Sequence, residues 1–445
     1  MHLLGNSGTI VCKTHLSNCW WWIILKIGSF IKLHRIEQKM TQEELALGIV
    51  SVSYLSKIEN DHTLASTEII SLLCKRLNIE PLEMSGESLQ ELCQEWYSKL
   101  FEVNDKNEII ELYEKIKSYM KSSIAEELLM FEIHTIRYLL VIGRPKEACK
   151  QIEKLSEIED TFDHTHAYFW YKFRGNYHSI YNEFNKAMKM YQLAEETGNV
   201  LDLSNNEKAD LQYTIGVTHS KLRNTLETID YAESALKTYR EQYNFIRCAQ
   251  CHILLGISYR RIRLYEKAIE NHNLAKQLGE LNNNRQVIQL ANQNLGYLYS
   301  TTGNNREAMK HYEAVVNDTD VDLNARLPAI ASLIKEYYSI EEIGQTRNMV
   351  NQGLDLLDQL QNKKRYQLYY YIIYTYQHVL NGEMESFEKI VTEEFLPYLE
   401  LHKDYVNIVV YTTMLADYYE KLHKYKDAVF YHKQASQAYE QLTNI

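Results

Sequence analysis

Proline and glycine are scarce in this chain, which has only four prolines and 16 glycines among 445 residues. Because both residue types interrupt regular elements, their scarcity predicts long helices with few breaks. Cysteine is scarce as well. The seven cysteines are an odd number and lack the spacing of a disulfide framework, so they are interpreted as reduced thiols. The formal net charge of −11 argues against an indiscriminate nucleic-acid binder.

Long apolar runs and catalytic motifs are also missing. The strongest apolar stretch, residues 19–25, ends at Lys26, well short of the ~18 residues that a membrane span needs. We find no nucleotide-binding loop and no nucleophile elbow. Cys248 and Cys251 form a CxxC pair, but it stands alone inside a helical pattern. The sequence therefore predicts no metal, no cofactor and no enzymatic activity.

The most specific stretch is TQEELALGIVSVSYLSKIEN, residues 41–60. Thr41 and Glu44 have the spacing of a capping box at a helix N-terminus, and Gly48 lies where a first helix must end and turn. Leu55 and Ile58 are three residues apart and define the inner face of a second helix. The outer face carries side chains that can reach a base edge or a phosphate: Val52, Ser53, Ser56 and Lys57.

Residues 27–83 resemble the helix-turn-helix domain of the phage repressor Cro/C1 class. Arg35 matches the arginine that in this class pairs with the glutamate ending the recognition helix, which is Glu59 in this sequence. The segment is near neutral in charge, so affinity should come from a few well-placed cations and from two copies binding together. The resemblance implies contacts with the DNA backbone by three side chains: Gln42, Lys32 and Lys39.

A repeat of 40 or 41 residues fills most of the remaining chain. Four segments share a glycine, a small residue twelve positions later, and a second small or short residue nineteen positions later. In chain order these triplets are Gly175, Ala187 and Ala194; Gly216, Thr228 and Ala235; Gly256, Ala268 and Ala275; and Gly296, Ala308 and Val315. Small residues at these points allow two antiparallel helices to approach closely. Two degenerate repeats are predicted in residues 327–399, and others before and after the clear ones.

This pattern resembles the tetratricopeptide repeat, lengthened by longer helices. The predicted fold class is all-α, with an N-terminal Cro/C1-type helix-turn-helix domain followed by a right-handed superhelix of tetratricopeptide-like repeats. We expect residues 1–26 to be an extension outside the fold and residues 27–83 to form the DNA-binding domain. Residues 84–103 should be a linker with a linker helix, and residues 104–445 a repeat domain for peptide binding and oligomerisation.

In that repeat family the concave surface is lined by the first helix of each pair, near the glycine. Asparagine and glutamine can clamp a peptide backbone because they donate and accept, and arginine or lysine can bind a carboxylate. The resemblance therefore implies a short peptide as ligand. The predicted peptide-binding residues are Lys172, Asn176, Ser179, Tyr213, Lys221, Arg247, Arg260, Arg261, Asn292, Gln293 and Tyr297.

The two halves together resemble the cytoplasmic peptide-pheromone receptors of Gram-positive bacteria, which include Rap, Rgg, NprR, PlcR and PrgX, and most of all the NprR type. The resemblance implies a cytoplasmic quorum-sensing transcription regulator with three partners: double-stranded DNA, a short signalling peptide, and a second copy in a dimer or tetramer. No membrane partner is expected. Two alternatives stay open. One is a Rap-like protein that binds or dephosphorylates a sporulation response regulator, and the other is a phage arbitrium-type receptor.

Overall fold

The computed structural model describes residues 27–60, 62–63, 65–79, 86–102, 106–120, 128–318, 323–360 and 366–443. Within these ranges the chain is helical and contains no strand. The predicted N-terminal extension, residues 1–26, lies outside the described residues, as do residues 80–85 at the start of the predicted linker. None of the described helices combines the length and the apolar character required to cross a bilayer.

Four short helices form the N-terminal domain: α1 Ile27–Glu37, α2 Gln42–Ala46, α3 Val52–Glu59 and α4 Thr67–Arg76. The capping box at the start of α2 is present. The Glu44 amide donates to Thr41 Oγ1 at 3.2 Å, and the Thr41 amide donates to Glu44 Oε2 at 2.7 Å. Ser51 caps α3 by accepting from the Tyr54 amide at 3.2 Å. Gly48 adopts a φ of +72°, a conformation that costs little only without a Cβ, so the turn between α2 and α3 can be tight.

Two helices follow the DNA-binding domain: α5 Gly86–Glu102 and α6 Lys106–Met120. Trp96 of α5 is fully buried, and its Nε1 donates to the Ile109 carbonyl at 3.1 Å. The same indole packs against Phe131 with 5.1 Å between ring centroids. The stretch predicted as a linker helix is therefore part of the hydrophobic core that continues into the repeats.

Eight helical pairs make up the rest of the described chain. The first four pairs are α7 Leu128–Val141 with α8 Pro145–Ser156, α9 His164–Ile180 with α10 Phe184–Gly198, α11 Asn205–Leu222 with α12 Thr225–Glu241, and α13 Phe245–Arg261 with α14 Tyr265–Leu281. The next two are α15 Arg285–Thr301 with α16 Asn305–Val316 and α17 Leu323–Ser339 with α18 Ile343–Gln359. In the seventh pair, α19 Gln367–Asn381 is followed by α20 Met384–Lys389, a π-helical segment Ile390–Phe395 and α21 Leu396–Leu401. The last pair is α22 Tyr405–Lys421 with α23 Tyr425–Thr443.

The glycines that define the repeat are buried where the two helices of a pair meet. A Cβ placed on Gly175 would lie 2.3 Å from Cε1 of Tyr191, and one on Gly296 would lie 2.6 Å from Cε1 of Tyr312. The small residues twelve positions after the glycines are fully buried in all four repeats. Close helix approach is thus what the repeated glycine provides.

The chain divides into two compact units, with the boundary between Tyr231 and Ala232 in α12. The N-terminal unit holds the DNA-binding domain, α5, α6 and the first repeats. The C-terminal unit holds the later repeats, and its largest hydrophobic cluster among the described residues runs from Ala308 to Ala438.

Candidate DNA-binding helix and peptide groove

Helix α3 presents one apolar face to the domain core and one polar face to solvent. Leu55 and Ile58 are buried because they occupy the same side of the helix. On the other side, the predicted base-contacting residues Val52, Ser53 and Lys57 are exposed, and Ser56 is half-buried. Lys39, predicted to contact a phosphate, is exposed just after α1. The polar side of α3 is therefore available to enter a groove of DNA.

A buried ion pair fixes α3 against α1. Glu59 ends α3 and is fully buried, and its carboxylate accepts two hydrogen bonds from Arg35, at 2.6 Å from Nε and 2.9 Å from Nη2. Gln42, predicted to contact the DNA backbone, is half-buried and donates its side-chain amide to Glu59 Oε2 at 2.7 Å. The remaining nitrogen of the guanidinium, Arg35 Nη1, donates to the Met40 carbonyl at 2.9 Å. These bonds tie the start of α2 to the end of α3.

Arg76 is a structural residue that sequence reasoning missed. Its Nη1 lies at the C-terminal end of α2, where it donates to the Leu45 carbonyl at 2.9 Å and also to the Leu47 carbonyl. A helix end leaves carbonyl groups without partners, and an arginine can satisfy them. Because α2 is only five residues long, this contact from α4 helps to hold its position.

Ion pairs join the DNA-binding domain to the first repeats. Lys154 of α8 lies 2.5 Å from Glu37 Oε1 of α1 and 3.0 Å from Glu132 Oε2 of α7. Lys32 of α1, predicted to contact a phosphate, donates to Asp160 Oδ1 at 3.1 Å and to Asn60 Oδ1 at 3.2 Å. The lysine predicted to bind DNA is thus bonded to the repeats in this structure.

Acidification should weaken the ion pair between Glu37 and Lys154, which joins α1 to the repeats. Burial raises the pKa of Glu37, but hydrogen bonds with His34 and Lys154 and the charge of Lys154 lower it to about 2, below the ordinary 4.5. Since the folded-state pKa is the lower one, the stabilisation is complete above about pH 4.5 and is lost as the pH falls towards 2. We expect amide hydrogen exchange in α1 to accelerate over that range.

The Glu37→Gln variant should show faster amide hydrogen exchange in α1 already at neutral pH. Its exchange should not accelerate further through loss of this ion pair when the pH falls. Glu43→Gln removes the same charge from an exposed position on α2 and serves as the matched control. Equal exchange rates in both variants would mean that the contact with Lys154 does not hold α1.

In the N-terminal unit, the predicted groove residues differ in how far they are buried. Lys172 is buried between Glu207 and Asp210, and its ammonium lies 2.8 Å from Asp210 Oδ2. Burial lowers the pKa of Lys172, but the two carboxylates outweigh burial and raise it above its ordinary value. Asn176 Oδ1 accepts a hydrogen bond from the hydroxyl of Tyr191 at 2.8 Å. The others are less enclosed: Ser179 and Tyr213 are half-buried and Lys221 is exposed.

In the C-terminal unit, first helices of neighbouring repeats lie side by side. The Arg260 guanidinium of α13 stacks over the Tyr297 ring of α15 at 4.5 Å from the ring centroid. Asn292 is buried and its Oδ1 lies 3.0 Å from His311 Nδ1, whereas Gln293 Oε1 is buried without a hydrogen-bond partner among the described residues. Arg247 contacts Gln250 at 3.3 Å, and Arg261 is half-buried. The stacked arginine and the unbonded amide oxygen are groups that a peptide could engage.

The cysteine pair is a feature of the helix core. Cys248 and Cys251 of α13 are both buried, and burial raises the pKa of each thiol above its ordinary value. Such thiols are poor nucleophiles and poor metal ligands, since both roles need the thiolate. Of the described residues, one group has donor atoms close enough to share a metal ion: Asp417, Glu420 and His432, all exposed.

The fold and these surfaces define a class: a helix-turn-helix protein with an array of tetratricopeptide-like helical pairs. Comparison with known proteins agrees. Residues 31–84 match the helix-turn-helix family. The chain is 34% identical over 407 residues to the transcriptional activator NprA of Geobacillus stearothermophilus, covering 90% of this chain and 100% of that protein. It is 22% identical over 348 residues to the regulatory protein RapD of Bacillus subtilis (strain 168), covering 76% and 96% of the two chains.

Solved structures show the same fold. The apo form of the quorum sensor NprR from B. thuringiensis superposes with a TM-score of 0.65 at 17% identity, over 79% of this chain and 99% of that one. NprR in complex with its cognate peptide NprX gives a TM-score of 0.56 at 18% identity, over 81% and 100%. The chain belongs to the family of transcription regulators that contains NprA. The predicted fold class is confirmed, and so is the predicted broad class of function, a transcription regulator and not an enzyme.

Proposed function

We propose that this protein binds operator DNA through the exposed side of α3 and is switched by a short signalling peptide held along the first helices of its repeats. The observation that carries the proposal is the exposure of Val52, Ser53 and Lys57 on a helix whose other face is locked by the ion pair of Arg35 and Glu59. A rigid helix with a free polar face is what base recognition requires. The cognate peptide seen on NprR supports a peptide as the second ligand.

Ser53→Ala combined with Lys57→Ala should abolish sequence-specific DNA binding. Each good base contact contributes about 1–3 kcal/mol, so losing two should lower specific affinity about thirtyfold or more. The measurement is repeated selection from a pool of random duplexes, in which the wild-type protein should enrich paired half-sites about 34 Å apart. The double variant should enrich none.

Lys75→Ala removes an exposed lysine from α4 and is the control for loss of charge. Peptide binding by the double variant should be unchanged. Loss of both DNA and peptide binding would contradict separate sites for the two ligands.

Arg260→Ala should weaken peptide binding without unfolding the chain. A hydrogen bond to a charged group contributes about 1.5–3 kcal/mol, which corresponds to roughly a tenfold to hundredfold loss of affinity. The peptide is the one recovered by pull-down of short peptides from cytosol, and its affinity is measured by calorimetry. Arg263→Ala changes an exposed arginine in the loop just after α13 and should leave the peptide affinity unchanged. Equal affinities for the two variants would place the peptide elsewhere.

Oligomerisation follows from the way DNA is read. One helix-turn-helix contacts only a half-site, so two copies must associate, and we propose a dimer or tetramer whose spacing the peptide controls. A signalling peptide as ligand and DNA as target support a cytoplasmic location, which is part of the proposal. The chain is also 24% identical over 324 residues to response regulator aspartate phosphatase A of Bacillus subtilis (strain 168), which supports a response regulator as a further partner. Binding of a phosphorylated response regulator, measured with and without peptide, tests that part.

A further inference from the structure

One lysine in the C-terminal unit is enclosed without a matching negative charge. Lys335 lies on α17, and its ammonium group has a single hydrogen-bond acceptor in the described part of the chain, Asn407 Oδ1 at 3.4 Å. That distance is long for such a bond. Burial lowers the pKa of Lys335, while the charges of Asp404 and Glu336 act in the opposite direction. An enclosed ammonium group with one weak acceptor destabilises the fold unless a further acceptor or a negative charge pairs with it.

The carboxylates nearest to Lys335 are bonded to other donors. Asp404 caps α22, where it accepts from the Asn407 amide at 3.2 Å and from Asn407 Nδ2 at 2.7 Å. Glu336 is buried and accepts from the Ser300 hydroxyl at 2.5 Å. Neither forms an ion pair with the lysine, and both are held in place by their own hydrogen bonds.

Two other enclosed lysines of this chain each contact two carboxylates. Lys172 lies between Glu207 and Asp210, and Lys154 lies between Glu37 and Glu132. This contrast indicates that the environment of Lys335 is incomplete.

Lys335 also occupies a position in its repeat that corresponds to a predicted peptide-binding residue in the preceding repeat. Helices α13, α15 and α17 each have 17 residues, and Lys335 is the thirteenth residue of α17, as Tyr297 is of α15. The hydrogen bond from Ser300 to Glu336 shows that α15 and α17 lie side by side. The unbonded Gln293 Oε1 belongs to α15 as well. Gln293 and Lys335 therefore lie on neighbouring first helices, on the side predicted to bind the peptide.

We propose that Lys335 is the residue that recognises a carboxylate of the signalling peptide. This inference rests on the proposed peptide-binding function and adds a chemical requirement to it. The carboxylate is either the free C-terminus of the peptide or the side chain of an aspartate or glutamate. On binding, it takes the position next to the ammonium that none of the described carboxylates fills. The resulting ion pair is strengthened by the low dielectric of the enclosed site.

The test uses the full chain and two synthetic libraries of random short peptides, one with free C-termini and one with amidated C-termini. Bound peptides are separated by gel filtration and sequenced by mass spectrometry. Wild-type protein should retain peptides from the free-acid library at least about tenfold better than Lys335→Met does. If the C-terminus is the anion, amidation should abolish retention. If a side chain is the anion, the amidated library should be retained and enriched in aspartate or glutamate at one position.

Lys426→Met removes an exposed lysine from α23 and is the matched control. A thermal melt accompanies each variant. Replacing an enclosed lysine with an apolar residue of similar length should leave the melting temperature unchanged or raise it, so a loss of retention cannot be ascribed to unfolding. Retention of the same peptides by wild type and Lys335→Met would overturn the role of Lys335. Failure of the wild type to retain any peptide would instead overturn the proposed function.

Discussion

Replacing Arg35 with methionine should destabilise the DNA-binding domain by about 3–5 kcal/mol, because it leaves the fully buried carboxylate of Glu59 without its cation. The amide of Gln42 remains as a hydrogen-bond donor, but an amide carries no charge. The loss should be visible as accelerated hydrogen exchange throughout α1 to α4, with the repeats unaffected. DNA binding should fail with it, since α3 is positioned by this pair.

The informative control replaces both partners. Arg35→Met with Glu59→Met removes the charge as well as its partner, and such apolar replacement of a buried pair is often close to neutral. We expect the double variant to regain most of the lost stability. If Arg35→Met alone changes stability by less than about 1 kcal/mol, the pair is not what holds α3 in place.

Gly175→Ala should destabilise the N-terminal repeats. The new Cβ would lie 2.3 Å from the ring of Tyr191, which is itself buried and bonded to Asn176. Forcing the two helices of this pair apart should cost about 1–3 kcal/mol, more than the helix propensity that alanine gains. Urea denaturation with peptide and without it measures the change.

Gly344 offers the matched control within α18. An added Cβ there would have no neighbouring atom within 4 Å, so Gly344→Ala should stabilise the chain by about 0.5–1 kcal/mol. Opposite signs for the two substitutions would show that the repeated glycine exists for close helix packing. A stabilising effect at both sites would show that the repeats tolerate a wider spacing.

Local patterns were enough to predict most of the fold. The capping box of Thr41 and Glu44 and the glycines of the repeats are separated from their partners by fewer than twenty residues, so sequence spacing alone places them together. The pairing of Arg35 with Glu59 was accessible only through the resemblance to a known domain, since nothing in the spacing of two charged residues specifies a buried contact.

Contacts between distant segments could not be predicted. Lys32 and Asp160 are separated by 128 residues, and Lys335 and Asn407 by 72. Helical periodicity tells which face of a helix a residue occupies, but it does not tell what lies opposite that face. For this reason the sequence predicts a ligand contact for Lys172 without indicating its two carboxylates, and it gives no indication of the environment of Lys335.

The bond between Lys32 and Asp160 has a consequence for regulation. One ammonium group cannot bind Asp160 and a DNA phosphate equally well at the same time, so the two contacts compete if Lys32 reaches the phosphate as predicted. By thermodynamic linkage the competition is reciprocal. If that prediction holds, the repeats lower DNA affinity by the same factor by which DNA loosens the repeats from α1, and a ligand that shifts Asp160 changes both.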